Sequence, residues 1–373
     1  MTPGPTPVAP ETLLAMAEPI IHHRSPQFSA ILAEVEEGLK FVFQTKNDVL
    51  ILVASGTGAM EGAVTNFLSA GDKALVVRGG KFGERWGAIC EAYGVKALAL
   101  DVEWGKSIRP EVIETALKNE KGIKAVYIQA HETSTGAKYP VEAIGNIVHQ
   151  YPETIFVVDA ISALGVYDLK TDDWHVDIMV SGSQKALMLP PGLAFASVSD
   201  KAWGLQKVAT LPRYYFDFAK ERKSLAKNSG AYTSAVSLIV GLQQVLKQIK
   251  AMGLEAIFAR NKRLSEATKA GVKALGLKLY AEESPSEALT AILAPAGING
   301  QDVVKVMREK YGVTIAGGQD QAKGKIFRIS HMGYVNEFDV IVALSALELG
   351  LKDLGYAIEL GAGVKAAEEV FSQ

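Results

Sequence analysis

Residues 176–192 read Val-Asp-Ile-Met-Val-Ser-Gly-Ser-Gln-Lys-Ala-Leu-Met-Leu-Pro-Pro-Gly, and this stretch indicates both the fold and the chemistry of the chain. The apolar residues 176–180 predict a strand, and the serines and glycine after them predict the turn at its end. Lys185 is therefore expected off the carboxyl end of a strand, where open α/β sheets bind their ligands. Because few charges compete with it there, such a lysine can lose its proton and attack a carbonyl carbon. An ordinary surface lysine beside a Gly/Pro loop is the alternative.

Strand-like and helix-like segments alternate from Asp48 to Ser199. Helical spacing covers 12–20 and 28–43 before this region. Continuous apolar runs then predict strands over 48–54, 73–77, 95–100, 124–129 and 154–158, with helices between them. The alternation predicts an α/β fold with a mostly parallel, doubly wound sheet.

The pattern changes after Ser199, and a long helix predicted over 234–252 ends at Gly253. The segments that follow predict helices over 254–275, 300–309 and 338–354 and strands over 278–281, 288–293, 313–316 and 325–329. These elements indicate a second, smaller α+β unit of roughly 120 residues. We therefore expect an N-terminal arm (1–14), a large domain (15–252) and a small C-terminal domain (253–373).

The composition excludes several classes of protein. With 48% hydrophobic and 21% charged residues in 373, the chain has the composition of an ordinary globular protein. Its net charge of −2, without basic or acidic blocks, argues against nucleic acid or a membrane surface as a partner. The N-terminus lacks the pattern of a secretory signal, and no apolar run approaches the ~18 residues of a membrane span. The single cysteine, Cys90, excludes an intrachain disulfide and a Cys-ligated iron–sulfur or zinc site. We expect a cytoplasmic protein without a metal site.

Two other predicted strands are followed by residues that can bind a ligand. Residues 55–59, Ser-Gly-Thr-Gly-Ala, lie between a strand and a helix, where backbone N–H groups and the helix dipole favour an anion. This phosphate cradle is neither a dinucleotide fingerprint, because Glu61 occupies the third glycine position, nor a P-loop; a plain tight turn is the alternative. Phe82, between Gly80 and Gly83, either packs in the core or stacks on a flat ring.

Two charged residues lie in apolar surroundings. Asp159 follows a run of apolar residues, so it is expected to be buried with a positive or hydrogen-bonding partner; a helix N-cap is the alternative. Arg328 lies inside the apolar strand 325–329 and must face water, a carboxylate or a site. The cradle, the aromatic ring, the aspartate and Lys185 together match pyridoxal phosphate, whose phosphate, ring, pyridine nitrogen and aldehyde each require one of them.

At these residues the sequence resembles the class V, fold-type I aminotransferases, and within them the alanine–glyoxylate and serine–glyoxylate group. The resemblance covers nearly the whole chain. The motifs that carry it are Pro3-Gly4-Pro5-Thr6, Ser55-Gly56-Thr57-Gly58, Ser134-Thr135-Gly136, Val158-Asp159, residues 181–187, Tyr232-Thr233 and residues 325–329. The sequence departs from some relatives in having Phe82 where they have tryptophan, and from many in having Ser234 where they have proline.

The resemblance implies a role for each cofactor-binding residue. Lys185 would bind the cofactor aldehyde, and Asp159 would pair with the protonated pyridine nitrogen. Phe82 and Ile161 would cover the two faces of the ring. The residues that would hold the phosphate are Thr57, Gly58, Ala59 and Gln184.

The resemblance also implies substrate contacts and a homodimer. Arg328 would grip the substrate carboxylate, with Gly4 of the arm close to the substrate. Ser134 would lie near the ring hydroxyl and the substrate. Thr233, with Tyr232, would reach the phosphate site of the neighbouring subunit, so that each active site lies at the dimer interface.

The activity that the resemblance implies is transfer of an amino group from alanine or serine to glyoxylate, which gives glycine and a 2-oxo acid. Two alternatives stay open. His23-Arg24-Ser25 resembles an element that phosphoserine aminotransferases use near the substrate phosphate, so a phosphoserine or 2-aminoethylphosphonate donor is one. Some cyanobacterial relatives carry the label of a soluble hydrogenase subunit, but one cysteine is too few for a metal-cluster protein, so such a role would be indirect.

Overall fold

The computed structural model describes residues 1–373. The helices are α1 (Pro10–Ala17), α2 (Pro26–Phe43), α3 (Gly56–Thr65), α4 (Lys81–Ala92), α5 (Pro110–Asn119), α6 (Val141–Val148), α7 (Asp200–Gln206), α8 (Phe218–Leu225), α9 (Val236–Met252), α10 (Leu254–Ala274), α11 (Gly300–Tyr311), α12 (Glu337–Asp353) and α13 (Ala362–Phe371). The strands are β1 (Val49–Ala54), β2 (Lys73–Arg78), β3 (Lys96–Asp101), β4 (Ile123–Gln129), β5 (His131–Glu132), β6 (Ala137–Lys138), β7 (Ile155–Asp159), β8 (Ile178–Gly182), β9 (Gly192–Val198), β10 (Leu289–Leu293), β11 (Ala316–Gly317) and β12 (Ile326–Ser330).

A seven-stranded central sheet has the order β1-β9-β8-β7-β4-β2-β3. The strands β3, β2, β4, β7 and β8 pair in parallel with one another along this order. Only β9 runs against its neighbours β8 and β1, so β1 points the same way as the other five. Six strands therefore end at one edge of the sheet, and the predicted α/β fold with a mostly parallel sheet is confirmed.

The central strands are covered on both faces, which explains their continuous apolar sequences. Every residue of β7 and of β8 is buried. In β4, six of seven residues are buried and Lys124 alone is partly exposed. A polar group at the end of such a strand, such as the Asp159 carboxylate, leaves water and must find partners within the protein.

The structure corrects the predicted end of the strand before Lys185. Ser181 and Gly182 belong to β8 rather than to a turn, because they pair with Phe195 and Ala194 of β9. The strand β9 was missed by the sequence analysis, since the prolines before it indicate a loop. A loop of residues 183–191, rather than a helix, therefore joins β8 to its antiparallel neighbour.

Four other predicted boundaries differ from the structure. The helix predicted over 12–20 spans Pro10–Ala17, because proline is well accommodated in the first helical turn. The helix predicted from 234 begins at Val236. The strand predicted over 278–281 forms only the bridge between Leu279 and Ile292, and that over 313–316 shrinks to β11. These segments lie at the edge of a small sheet, where few ladder bonds hold them.

The buried apolar residues form two main clusters. One contains 73 residues around the central sheet, and the other contains 20 residues between Leu264 and Ala367. The second covers the antiparallel sheet β10-β12-β11 with helices α10 to α13. Gly253, at a φ of 81°, lies between α9 and α10, in the left-handed region that glycine occupies without strain. The domain limits themselves stay a prediction.

The N-terminal arm is ordered and lies between the two clusters. The Met1 carbonyl accepts a hydrogen bond of 3.0 Å from the Ser330 N–H in β12. The Thr6 N–H donates to the Gln184 carbonyl at 3.1 Å, and the Thr6 hydroxyl donates to the Lys185 carbonyl at 2.8 Å. The arm thus ties β12 to the loop after β8. None of the helices is both long and apolar enough to cross a membrane.

Candidate active site

Adjacent parallel strands bring the predicted residues to one edge of the central sheet. Phe82 follows β2, Ser134 follows β4, Asp159 ends β7, and Lys185 follows β8. The order of the strands reverses between β2 and β4, which is where open α/β sheets bind their ligands. The sequence analysis expected this convergence from the strand ends.

Lys185 is a partly buried amine with a lowered proton affinity. Its ammonium group donates a hydrogen bond to the Pro3 carbonyl of the arm. Burial lowers the pKa of Lys185 to about 8; Asp159 opposes this effect, and the charges of Arg328 and Arg85 add to it. Such an amine loses its proton near neutral pH and can then act as a nucleophile or a base.

Gly4 packs directly against this lysine. A Cβ atom at position 4 would overlap the Lys185 side chain, including Nζ, and the φ of 122° is also unfavourable for other residues. The arm can therefore lie over the lysine only because position 4 is glycine.

Asp159 is buried with a nearly unsatisfied carboxylate. Its Oδ1 accepts a hydrogen bond of 2.8 Å from the Ile161 N–H, and no other hydrogen bond from the chain reaches the carboxylate. Burial raises the pKa of Asp159 to about 7, an effect that the Ile161 N–H opposes and Glu132 increases. No helix begins after β7, so Asp159 is not an N-cap.

The phosphate cradle coincides with the start of α3, at the carboxyl end of β1. Thr57, Gly58 and Ala59 lie in its first turn, and the N-cap residue Ser55 makes no side-chain cap. The end of β8 approaches this turn, since a Cβ at Gly182 would lie 3.5 Å from the Gly56 nitrogen and 3.1 Å from the Gln184 Oε1.

Gln184 adds a side-chain amide to this helix N-terminus. Its Oε1 atom is buried and has no hydrogen-bond partner in the chain. The uncapped helix N-terminus is suited to an anion, because its free N–H groups and the helix dipole favour negative charge, and the NH2 group of the Gln184 amide can add a further donor.

Glu132 holds the start of α4, which carries Phe82. Its fully buried carboxylate accepts hydrogen bonds from the backbone N–H groups of Phe82 (3.2 Å) and Gly83 (3.0 Å). It also accepts one from the Ser134 hydroxyl at 2.5 Å. Ser134 in turn accepts a hydrogen bond of 3.0 Å from the Lys81 N–H. The backbone at Phe82 and the hydroxyl of Ser134 are thus fixed by one carboxylate.

Arg328 is a buried arginine, only 4% exposed, and forms no ion pair with a carboxylate. Its Nε and Nη2 atoms donate to the Gly317 carbonyl, at 3.1 and 2.7 Å, and Nη1 donates to the Thr133 carbonyl at 2.6 Å. A guanidinium has five N–H groups, so one remains on each Nη atom. Burial lowers the pKa of Arg328 to about 10. A carboxylate bound by the two free N–H groups would supply the missing negative charge.

A buried network supports the carbonyl that holds Arg328. The Thr133 hydroxyl lies 2.5 Å from the Ser162 hydroxyl, which lies 3.0 Å from Nδ1 of His131. Burial lowers the pKa of His131 to about 3, so its ring is neutral. Thr133 is therefore held at two points: Arg328 binds its carbonyl oxygen, and Ser162 binds its side-chain hydroxyl.

Comparison with known proteins identifies the family. Residues 12–342 match the family model described as Aminotransferase class-V.

The chain belongs to the class V aminotransferases.

Named relatives agree with this assignment over the full length. The chain is 38% identical to an L-aspartate–glyoxylate aminotransferase of Paracoccus denitrificans and 38% identical to a serine–glyoxylate aminotransferase of Hyphomicrobium methylovorum, covering 100% of this chain and 95% and 94% of those proteins. It is 46% identical to a Synechococcus protein named the small subunit of a soluble hydrogenase, covering 100% and 98% of the two chains. The crystal structure of a ureidoglycine–glyoxylate aminotransferase from Bacillus subtilis superposes with a TM-score of 0.96 at 30% identity, covering 100% and 97% of the two chains.

Two predicted elements of this aminotransferase lie apart from the cradle within the chain. The Tyr232 hydroxyl donates to the Tyr214 carbonyl at 2.6 Å, and Thr233 is exposed; no hydrogen bond joins either to residues 57–59. His23 and Thr233 line one open cavity, and Arg24 is exposed and reaches Ser229 at 3.5 Å. The roles predicted for these four residues stay predictions.

Two residues of this aminotransferase site, Glu132 and Arg85, were not predicted from the sequence. Glu132 lies three residues after the end of a buried strand, which is a signal of the kind used for Asp159. Arg85 lies three residues after Phe82 and so shares its helix face. Its Nη1 donates to the Thr57 hydroxyl at 3.0 Å. The contact of Arg85 with Thr57 joins two helices that are distant in sequence, so no local sequence pattern reveals it.

The raised pKa of Asp159 predicts a pH-dependent effect of Asp159→Asn on the cofactor-free chain. Between the ordinary value of 3.8 and about 7, the folded chain holds a proton on this group that the unfolded chain has released, so wild-type stability falls as the pH rises through this window. The asparagine amide would keep the acceptor for the Ile161 N–H without the buried charge. We expect the variant to gain about 2 kcal/mol or more over wild type at pH 8, and little at pH 4.5, in urea unfolding. A difference that does not change with pH would contradict the assignment.

Proposed function

We propose that this aminotransferase transfers the amino group of alanine or serine to glyoxylate, with pyridoxal 5′-phosphate as its cofactor. The observation that carries the proposal is that a partly buried lysine of lowered pKa and a buried aspartate lie at one edge of the central sheet, where a buried arginine without a carboxylate partner reaches across from the small sheet. These are the nucleophile, the partner of a ring nitrogen and the carboxylate fork that the reaction needs. The names of the two glyoxylate aminotransferases above support glyoxylate as the acceptor.

The residues present fit this cofactor. The side-chain amide of Gln184 lies beside the uncapped start of α3, and its NH2 group would donate to a phosphate together with the backbone N–H groups of the helix. The Asp159 carboxylate has room for one more hydrogen bond, which suits a protonated ring nitrogen. Phe82 and Ile161 would cover the ring. Because the hydroxyl hydrogen of Ser134 is used by Glu132, Ser134 would act as an acceptor towards the ring hydroxyl.

When bound, the cofactor supplies an electron sink for negative charge on the substrate Cα. Arg328 would hold the carboxylate of the amino acid, and later of the oxo acid, through its two free N–H groups. This orients the Cα–H bond towards Lys185. Nζ of Lys185 would take the proton from Cα, and its pKa of about 8 keeps a useful share unprotonated at neutral pH.

The number of buried arginines favours an amino donor with a single carboxylate. Arg328 is the only buried arginine in the structure, so the site offers one desolvated fork for one carboxylate. Alanine and serine each carry one, as does glyoxylate. Their small side chains suit a site closed on one side by the arm at Gly4.

We propose further that the protein is a homodimer with shared sites, located in the cytoplasm. Val53, Tyr215, Tyr232 and Thr233 line one concave surface, where Val53 and Tyr215 are 39% and 46% exposed. Exposed apolar residues that cluster in this way are typical of an interface. The exposed Thr233 hydroxyl is available to reach the cradle of a second subunit.

Lys185→Ala tests the proposed reaction directly. The variant loses both the amine that binds the aldehyde and the base that moves the Cα proton, so we expect turnover of alanine and glyoxylate to fall by several orders of magnitude. It should still take up the cofactor through the phosphate and ring contacts, without the absorption of the lysine-bound form. The exposed Lys207→Ala serves as the control. Near-normal turnover of Lys185→Ala would refute the proposal.

Arg328→Lys tests the carboxylate fork. Lysine keeps the positive charge but loses the planar pair of donors, and it leaves carbonyls of Gly317 and Thr133 with fewer partners. We expect KM for both alanine and glyoxylate to rise by the equivalent of about 2–3 kcal/mol. Arg308→Lys, on an exposed helix face, is the matched control. Unchanged kinetics would show that another group holds the carboxylate.

Complementation tests the shared sites. In a heterodimer of Lys185→Ala with a Tyr232→Ala/Thr233→Ala double variant, one site collects both defects and the other collects neither. We therefore expect activity to recover towards half of wild type per heterodimer, once the loop variant alone is shown to be strongly impaired. Verified heterodimers as inactive as both parents would mean that the loop serves its own subunit.

A further inference from the structure

Arg85 is a half-buried arginine in α4 that the reaction described above does not use. Its guanidinium carbon lies 4.9 Å from the centroid of the Phe82 ring, and its Nη1 lies 3.0 Å from the Thr57 hydroxyl oxygen. One side chain thus touches both the ring-stacking residue and a residue of the phosphate cradle, although Phe82 and Thr57 follow different strands.

Arg85 has no carboxylate partner, unlike its neighbours. Arg78, at the end of β2, pairs with Asp101 at 2.8 Å, and Lys81, at the start of α4, pairs with Asp320 at 2.6 Å. The only hydrogen bond of the Arg85 guanidinium with the chain is the one to Thr57. The position of this guanidinium is therefore set by the two cofactor-site residues and not by an ion pair.

The bond between Arg85 and Thr57 also fixes the direction of the Thr57 hydroxyl. A guanidinium can only donate, so the Thr57 oxygen must be the acceptor. The hydrogen of that hydroxyl is then left to donate elsewhere, in the first turn of a helix whose N–H groups have no side-chain cap. An anion at this point would receive the hydroxyl hydrogen together with the backbone donors.

We propose that Arg85 is a positioning residue that couples the two halves of the cofactor site. It turns the Thr57 hydroxyl into a donor towards the phosphate, and it holds the Phe82 ring in place by a cation–π contact. This inference rests on the proposed cofactor placement. Neither effect requires Arg85 to touch the substrate.

The experiment measures the affinity of the cofactor-free protein for pyridoxal phosphate, by titration followed through absorbance. We expect Arg85→Gln to weaken binding by about 10- to 100-fold, as for the loss of a bond to a charged group. Arg85→Lys, which keeps one donor, should recover part of the affinity. Arg78→Gln, which breaks a neighbouring ion pair on the surface, is the control and should bind as wild type does.

A double-mutant cycle shows whether Arg85 acts through Thr57. Thr57→Val removes the hydroxyl. If Arg85 acts through it, the double variant Arg85→Gln/Thr57→Val should bind pyridoxal phosphate only slightly less tightly than the single variant with the lower affinity. Pyridoxal, which lacks the phosphate, should lose less affinity on Arg85→Gln than pyridoxal phosphate does. A structural role alone would instead weaken both ligands equally and lower the unfolding midpoint of the cofactor-free protein.

Three results would overturn the proposal. The first is an affinity of Arg85→Gln for pyridoxal phosphate equal to that of wild type. The second is a double variant in which the affinity losses of the two single variants add fully. The third is an Arg85→Gln variant that loses only the turnover of a dicarboxylic donor, which would assign Arg85 to substrate binding. Failure of the proposed function looks different, because wild type itself would then show no Lys185-dependent uptake of pyridoxal phosphate.

Discussion

The hydrogen bond from Arg328 to the Thr133 carbonyl is the contact on which the architecture of the site depends. Arg328 belongs to the small antiparallel sheet, and Thr133 directly follows β5, just beyond β4 of the central sheet, so this bond joins the two parts of the fold at the candidate active site. Burying a guanidinium without a carboxylate is costly, and three hydrogen bonds to carbonyls offset only part of that cost. The remaining two N–H groups make this structural link also the proposed receptor of the substrate carboxylate.

Around this link, positively charged side chains outnumber negatively charged ones, so the site attracts anions. Lys185, Arg328 and Arg85 supply three positive groups, whereas Asp159 and Glu132 supply two carboxylates, and each of the two carboxylates is buried. Glu132 uses its acceptor capacity on backbone N–H groups and on Ser134. The excess of positive charge favours anionic groups, which fits the phosphate of the proposed cofactor and the carboxylates of the proposed substrates.

Much of the site could be predicted because its residues follow strands that are covered on both faces. Continuous apolar runs predict such strands, so Asp159 and Lys185 stood out as polar groups at their ends. Arg328 stood out for the converse reason, as a charge inside a strand. Glu132 and Arg85 were missed because their contacts join elements that are distant in sequence, and β9 was missed because the two prolines just before it indicate a loop. Whether Thr233 completes a neighbouring site depends on a second chain, which no pattern within one chain can show.

The antiparallel pairing of β8 with β9 restricts the backbone movement of Lys185. The loop 183–191 is closed by the strand ladder at both ends, and the Ser183 hydroxyl links Pro190 and Leu193 across it. The Thr6 hydroxyl and N–H clamp the carbonyls of Lys185 and Gln184 from the other side. The backbone at Lys185 is thus held in place on both sides, so any movement of its amine in the proposed reaction would come from rotation about the bonds of its four-carbon side chain.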